Sequence, residues 1–101
     1  MRGKLSVKYL KVQWIHNFDD EPVMLYSEID INRNEVRKIE IYKDGTVGYA
    51  DKVSEYNGSL LSELPMPTLR EIASDSQFRP KEILKHEFEE MWTKALSERV
   101  K

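Results

Sequence analysis

Residues able to perform acid–base or metal chemistry are sparse in this sequence. His16 and His86 are its only histidines, and neither has a second ligand at the spacing that a metal site requires. A general base also needs a group that orients it, and neither histidine has one nearby in the pattern. The chain contains no cysteine, which excludes thiolate metal sites, disulfides and a cysteine nucleophile. We therefore predict no catalytic residue, no metal site and no cofactor.

The group of residues that most resembles an active site consists of carboxylates. Glu28, Asp30 and Glu40 lie on neighbouring predicted strands, as the acids of a metal-dependent nuclease would, and His16 could join them. Lysine and arginine side chains alternate with these acids, which favours a ladder of opposite charges across the strands. A small metal-dependent hydrolase or nuclease is therefore kept as the alternative function.

A protein-binding surface is the remaining chemical possibility. The predicted outer face of the sheet carries tyrosines among mixed charges, a composition that is typical of protein interfaces. The first loop contains three consecutive acids without the glycine and spacing of a calcium loop, so a basic partner is the more suitable ligand. The candidate partner-binding residues are Tyr26, Glu28, Glu40, Tyr42, Asp19 and Asp20.

Composition limits the classes of partner and the location. The 101 residues include 16 basic and 18 acidic side chains, with a formal net charge of −2. This near balance gives no overall positive field, so we predict neither nucleic acid nor a membrane as a partner. No apolar run approaches the roughly 20 residues that span a bilayer, and the first residues lack the apolar core of a secretion signal. A cytoplasmic location is expected.

The length predicts one domain, and alternating apolar and polar residues predict four strands in its first half. Residues 1–8 contain three basic side chains and are predicted to be a flexible tail, with a single α+β domain at residues 9–101. Segments 9–16 and 23–30 alternate as half-buried strands do, and turn formers separate them. Two further strands follow in segment 35–50.

Segment 35–50 predicts a hairpin whose turn fixes the pairing. A two-residue loop would divide the apolar residues of the two strands between opposite faces. A three-residue loop with Gly45 in the left-handed conformation pairs Ile39 with Tyr49 and makes one face apolar throughout. We therefore predict the three-residue loop. The water-facing side then carries Lys38, Glu40, Tyr42, Thr46 and Gly48.

Two helices are predicted after the strands. Thr68 and Glu71 fit a capping box, which starts a short helix ending near Ser74. Pro80 suits a first helical position, so a long helix is predicted from Pro80 to about Ser97. Its apolar stripe, which should face the sheet, consists of Leu84, Phe88, Met91, Trp92 and Ala95. The predicted fold is α+β, an antiparallel four-stranded meander with one long C-terminal helix and one short helix packed on one face.

Five segments of the chain resemble a family of small uncharacterised bacterial domains of unknown function. They are YLKVQWIH at 9–16, DEPVMLYSEID at 20–30, NEVRKIEIYKDGTVGYA at 34–50, ELPMPTLREIASDSQF at 63–78 and EFEEMW at 87–92. The resemblance implies a cytoplasmic single domain and a role like that of immunity proteins, which neutralise a cognate toxin. It implies no catalytic residue, so none is carried over.

The leading prediction is therefore a non-enzymatic protein-binding domain, in the form of a toxin-neutralising immunity protein that meets a basic partner. A homodimer formed through the same outer face is the third possibility.

Overall fold

Six strands and two helices make up residues 7–99, the part of the chain that the computed structural model describes. The strands are β1 Lys8–Trp14, β2 Pro22–Ile29, β3 Glu35–Tyr42, β4 Val47–Ala50, β5 Glu55–Tyr56 and β6 Phe78–Ile83, and the helices are α1 Leu69–Ala73 and α2 Lys85–Arg99. The predicted α+β class is confirmed, with six strands in place of four. Most of the predicted basic tail lies outside the described residues, but Lys8 already belongs to β1. Neither α1 nor α2 is long and apolar enough to cross a membrane.

The six described strands form one antiparallel sheet in the order β5-β4-β3-β2-β1-β6. The first five follow the chain as a meander, because short connections join strands that pair directly. β6 then returns to the free edge of β1, where Tyr9 pairs with Ile83 and Trp14 pairs with Phe78. As a result β1 lies inside the sheet and β6 forms its edge.

The β3–β4 hairpin has the predicted three-residue turn. Gly45 has a φ angle of 89°, in the left-handed region that a residue without a Cβ adopts at little steric cost. Ile39 pairs with Tyr49 and Ile41 pairs with Val47. Ile39 and Tyr49 are almost fully buried. The pairing register that was predicted from the turn is therefore confirmed.

The predicted start of the long helix at Pro80 is wrong. Pro80 lies in the edge strand β6, and the helix begins only at Lys85. Proline is tolerated on an edge strand because the N–H that it lacks can be one that would otherwise face solvent. Pro80 pairs there with Val12 of β1. Leu84, which was placed on the apolar stripe, consequently precedes α2 and is 63% exposed.

α2 packs across one face of the sheet and supplies a large part of the core. Phe88 and Ala95 are almost fully buried, and Met91 and Trp92 pack against the same cluster. The ring of Phe88 meets that of Tyr9 with a centroid distance of 5.3 Å. These four residues of the predicted stripe are therefore confirmed on the sheet-facing side of the helix.

The second face of the sheet is covered as well. α1 has the predicted capping box, in which the Thr68 side chain accepts from Glu71 N and the Glu71 carboxylate accepts from Thr68 N. With residues 62–67, which we call the strap, α1 lies over Val12 and Leu25 on the face opposite α2. The prediction that both helices pack on one face is therefore wrong.

Gly48 marks a close approach between β4 and the segment that follows β5. A Cβ at this position would overlap Ser59 Oγ and lie 3.2 Å from the Tyr56 carbonyl oxygen. Ser59 cannot move easily, since it is almost fully buried and donates to Glu40 Oε1 at 2.6 Å. We expect Gly48→Ala to lower the free energy of unfolding by about 1 to 3 kcal/mol, as overpacked sites do. Urea denaturation measures the loss.

A double-mutant cycle identifies the cause of that loss. Ser59→Ala removes the oxygen that the new methyl group would overlap, so the double variant should lose less stability than the two single losses added together. Strictly additive losses would show that the Gly48 site is limited by another contact.

Candidate partner-binding site

The predicted partner-binding residues on the strands do not share one face of the sheet. Tyr26 pairs with Ile39, so it lies on the α2 side together with Glu28. Glu40 and Tyr42 alternate with Ile39 and therefore point to the opposite side. The prediction that these residues share one outer face is therefore wrong. A role for any of them in binding stays a prediction.

The error has a physical reason. The prediction assumed one solvated face, but both faces of this sheet are covered, so apolar side chains on adjacent strands need not fall on the same side. Met24 and Tyr26 face α2, whereas Leu25 between them faces α1 and the strap. Tyr26 is itself part of the core, with 8% of its surface exposed. Alternation within β2 cannot show which set of residues faces which helix.

Glu28 belongs to a charge network between the sheet and α2. It accepts from Tyr9 Oη at 3.1 Å and forms an ion pair with Arg37. Arg37 also donates to both oxygens of Glu89, at 2.7 and 3.1 Å, and lies over the Phe88 ring at 4.9 Å from its centroid. Burial raises the pKa of the Tyr9 phenol, and the charge of Glu28 raises it further. Glu28 is thus engaged inside the molecule.

Glu40 is held on the opposite face. Ser59 Oγ donates to its Oε1 at 2.6 Å, and Lys38 Nζ lies 3.9 Å from its Oε2. The same ammonium lies 3.3 Å from Oε1 of the buried Glu35. Glu40 therefore takes part in a second charge network, on the side that α1 and the strap cover.

Three of the four residues considered for a metal-dependent hydrolase, Glu28, Glu40 and His16, lie apart. The sheet separates Glu28 from Glu40, and His16 uses both ring nitrogens locally. Phe18 N donates to His16 Nδ1 at 2.9 Å, so the proton is on Nε2, which donates to the Pro22 carbonyl oxygen at 2.8 Å. Within residues 7–99, no group of three or more histidine, aspartate or glutamate side chains is placed to hold a metal ion. Glu28, Glu40 and His16 therefore do not form one site.

The acidic loop and the hairpin turn meet at one end of the sheet, around an open depression of about 300 Å³. We call this surface the acidic end; it is lined by Asp19, Asp20, Tyr42, Asp44, Thr46 and Asn57. Three of the predicted residues, Asp19, Asp20 and Tyr42, are brought together there. Asp44 joins them, although the sequence assigned it only to the turn. Its position two residues after Tyr42 is the signal that could have placed it in the site.

Local hydrogen bonds stabilise the negative charge of Asp44 at the acidic end. Thr46 donates to Asp44 Oδ1 through its backbone N at 3.0 Å and its Oγ1 at 2.7 Å. These bonds lower the pKa of the Asp44 carboxyl. Lys43 Nζ donates to Asp19 Oδ1 at 3.2 Å, but both side chains are exposed, so the pair is weak and easily exchanged for another cation.

Tyr42 supplies a neutral donor to the acidic end. Burial raises the pKa of its phenol, and the negative charges of Glu40 and Glu21 raise it further. The hydroxyl therefore keeps its proton at neutral pH and can donate to a partner or accept from a basic side chain.

An exposed aromatic residue directly precedes the acidic end in the chain. Phe18 immediately precedes Asp19 and is 56% exposed. Its ring stacks on His16 with a centroid distance of 5.3 Å, and His16 meets the Trp14 ring at 4.4 Å. The ring is thus positioned before any partner binds, which reduces the entropic cost of using it as an anchor. Phe18 could not be predicted from the sequence, because an apolar residue in a loop carries no sign of its exposure.

The fold defines the class of protein as a small α+β domain built on an antiparallel sheet with a helix on each face. The family described as "Domain of unknown function (DUF6881)" matches residues 8–97, so the chain belongs to this family. The resemblance to a family of unknown function is confirmed. No curated protein and no solved structure matches the chain.

Proposed function

We propose that this protein is a non-enzymatic protein-binding domain that meets a basic partner surface through its acidic end. One observation carries the proposal. Asp19, Asp20 and Asp44, from two separate segments, surround one depression, and the exposed Phe18 directly precedes Asp19 in the chain. Complementary charge accelerates and orients association, and a rigid aromatic anchor can supply a large share of the binding energy.

The local charge supports a basic partner. Three carboxylates line the acidic end, and Lys43 is paired with one of them. The net charge of the whole chain is only −2, so the negative potential belongs to this surface and not to the molecule as a whole. A partner with lysine or arginine side chains around an apolar socket would complement the acids and Phe18.

We propose that this binding domain acts as a toxin-neutralising immunity protein in the bacterial cytoplasm. An inhibitor of this kind needs no catalytic residue, because it acts by covering the active surface of the toxin. A toxin that cleaves nucleic acid presents a basic surface, since it must bind phosphates. An acidic end with an aromatic anchor could occupy such a surface in place of the nucleic acid.

Binding measurements with surface variants test the proposal. The partner is captured from source cells with the full chain and purified, and its Kd is then measured for each variant. Phe18→Ala should weaken binding by about 2 kcal/mol, roughly thirtyfold, if the ring is an anchor. The double variant Asp19→Asn/Asp20→Asn should weaken it roughly tenfold at low salt and less at high salt.

A double variant elsewhere controls for the loss of charge. Glu82→Gln/Glu90→Gln changes two exposed acids on β6 and α2, away from the acidic end, and should leave the Kd unchanged. Wild-type affinity in both Phe18→Ala and Asp19→Asn/Asp20→Asn would contradict the proposed surface. A captured partner that is a second copy of the chain, with a doubled mass in light scattering, would support the homodimer instead.

A further inference from the structure

A cavity of about 360 Å³ lies between the sheet and the cover formed by α1 and the strap. It shares no lining residue with the acidic end. Its apolar wall consists of Val12, Leu25, Met66, Pro67, Ile72 and Phe78. A mostly apolar concavity with a few polar groups is the usual form of a small-molecule site.

The cover of this cavity is fixed at both ends of the strap. Arg33 donates through Nε to Met66 O and through Nη2 to Pro67 O, both at 2.7 Å, and Met66 N donates back to Arg33 O at 2.7 Å. At the other end, Ser62 N donates to Glu35 Oε1 at 2.8 Å. These bonds hold the strap above the sheet, so the cavity exists before a ligand enters.

The polar groups at the floor of the cavity satisfy one another. Glu35 accepts from Ser27 Oγ at 2.6 Å, and its other oxygen lies 3.3 Å from Lys38 Nζ. The positive charge of Lys38 is therefore balanced inside the cavity. An anionic ligand would have to compete with Glu35 for that ammonium while lying close to the Glu35 carboxylate itself.

The negative charge that remains unbalanced lies at the rim of the cavity. Glu71 and Asp75 also line the cavity, and Lys38 is the only basic residue among the described residues that line it. Hydrogen bonds from Thr68 lower the pKa of Glu71, and the nearby charge of Arg33 adds to this effect. Asp75, in contrast, has no ion pair within residues 7–99. A cation at the rim would therefore be placed best beside Asp75.

We propose that this cavity binds a small amphipathic cation, with an aromatic or branched apolar body inside and an ammonium group beside Asp75. The volume equals that of about twelve water molecules at roughly 30 Å³ each, which suits a body of one or two rings. An ammonium at the rim keeps part of its hydration, so it avoids most of the cost of burying a charge. This small-molecule site is independent of the protein-binding function.

Tryptamine is a suitable probe, since it joins an indole ring to an ammonium group. Titration of the ¹⁵N-labelled full chain to about 10 mM should move the amide signals of Val12, Leu25 and Ile72 in a saturable manner. Indole-3-acetate carries a carboxylate on the same ring system and should bind at least about tenfold more weakly.

Two variants locate the body and the head group. Ile72→Phe narrows the cavity from α1 and should weaken tryptamine binding about tenfold or more. Asp75→Asn removes the charge but keeps the oxygen that accepts from Gln77 N at 3.0 Å, and it should weaken tryptamine binding at least about threefold. Glu90→Gln removes the same charge from the exposed surface of α2 and should have no effect.

The proposal is overturned if tryptamine causes no saturable shifts, if the shifts map away from the cavity, or if indole-3-acetate binds equally well. Wild-type affinity for tryptamine in Asp75→Asn would also overturn it. If Ile72→Phe does not fold, the comparison of Asp75→Asn with Glu90→Gln still decides the outcome. None of these results bears on the proposed protein binding at the acidic end, because that proposal is tested with a protein partner and other variants.

Discussion

Phe88→Ala is expected to lower the free energy of unfolding by about 3 to 5 kcal/mol, the usual cost of deleting a buried aromatic side chain. Phe88 is fully buried, packs on Tyr9 and supports the Arg37 guanidinium on its ring. A domain of this size has only about 5 to 15 kcal/mol of stability in total. The variant should therefore unfold at a much lower urea concentration, which tryptophan fluorescence can follow.

Leu84→Ala is the matched control for this experiment. Leu84 directly precedes α2 and is largely exposed, so its truncation should cost less than about 0.5 kcal/mol. A helix starting at Pro80 would instead place Leu84 and Phe88 on one buried stripe. Similar losses in the two variants would therefore contradict the placement of β6 and the start of α2.

Arg37→Met is expected to cost about 3 kcal/mol, because it removes the cation that balances two carboxylates between the sheet and α2. Methionine retains an apolar stem beside Phe88, so most of the loss reports the charge and not the packing. Among the partners of Glu28 within residues 7–99, this variant keeps the hydrogen bond from Tyr9 as the remaining compensation. Urea denaturation at neutral pH measures the change.

A second substitution tests whether the unpaired charge of Glu28 causes the loss of stability in Arg37→Met. Glu28→Gln in the Arg37→Met background removes the carboxylate that lost its partner, so it should restore part of the stability. A double variant less stable than Arg37→Met alone would show that Glu28 contributes mainly through its bond from Tyr9.

The same network should give stability a dependence on pH. Burial opposes the charge of Arg37, but hydrogen bonds to Glu89 and Glu28 outweigh it and raise the pKa of Arg37, which stays charged. Hydrogen bonding to Arg37 lowers the pKa of Glu89. A carboxyl with a lowered folded pKa stabilises the fold above its unfolded pKa of about 4.3, and the contribution disappears as the pH falls through the folded pKa. Because Glu89 is more than a third exposed, this contribution should stay below about 1 kcal/mol, and most of it should be lost in Arg37→Met, where the charge of Lys85 still lowers the pKa of Glu89.

How much of the fold the sequence predicts depends on whether the signal is local. The turn at Gly45 and the capping box at Thr68 depend on a few neighbouring residues, and both are confirmed. β6 depends instead on pairing with β1, which comes far earlier in the chain. Its Pro80 fits a first helical turn and an edge strand equally well, so no local pattern could distinguish the two.

The candidate site could likewise be predicted only where the sequence signal is local. Asp19 and Asp20 stand out as an acidic loop and Tyr42 as a polar residue beside a turn, and the structure brings these three together. Tyr26 and Glu28 were predicted from an assumed solvated face. That face is covered by α2, and the opposite face is covered by the chain after β5, whose path has no periodic pattern in the sequence. The surface accordingly could be predicted where it depends on loops and turns, but not where it depends on which face a helix covers.

The return of β6 to the edge of β1 also affects how the protein is made. A ribosome completes β1 to β5 well before it reaches β6, so β1 leaves the exit tunnel without a partner on one side. An unpaired strand edge can pair with another nascent chain, and this edge includes Leu10 and Val12, which are buried in the finished fold. Until β6 pairs with it, this edge of β1 therefore stays open to pairing with another chain.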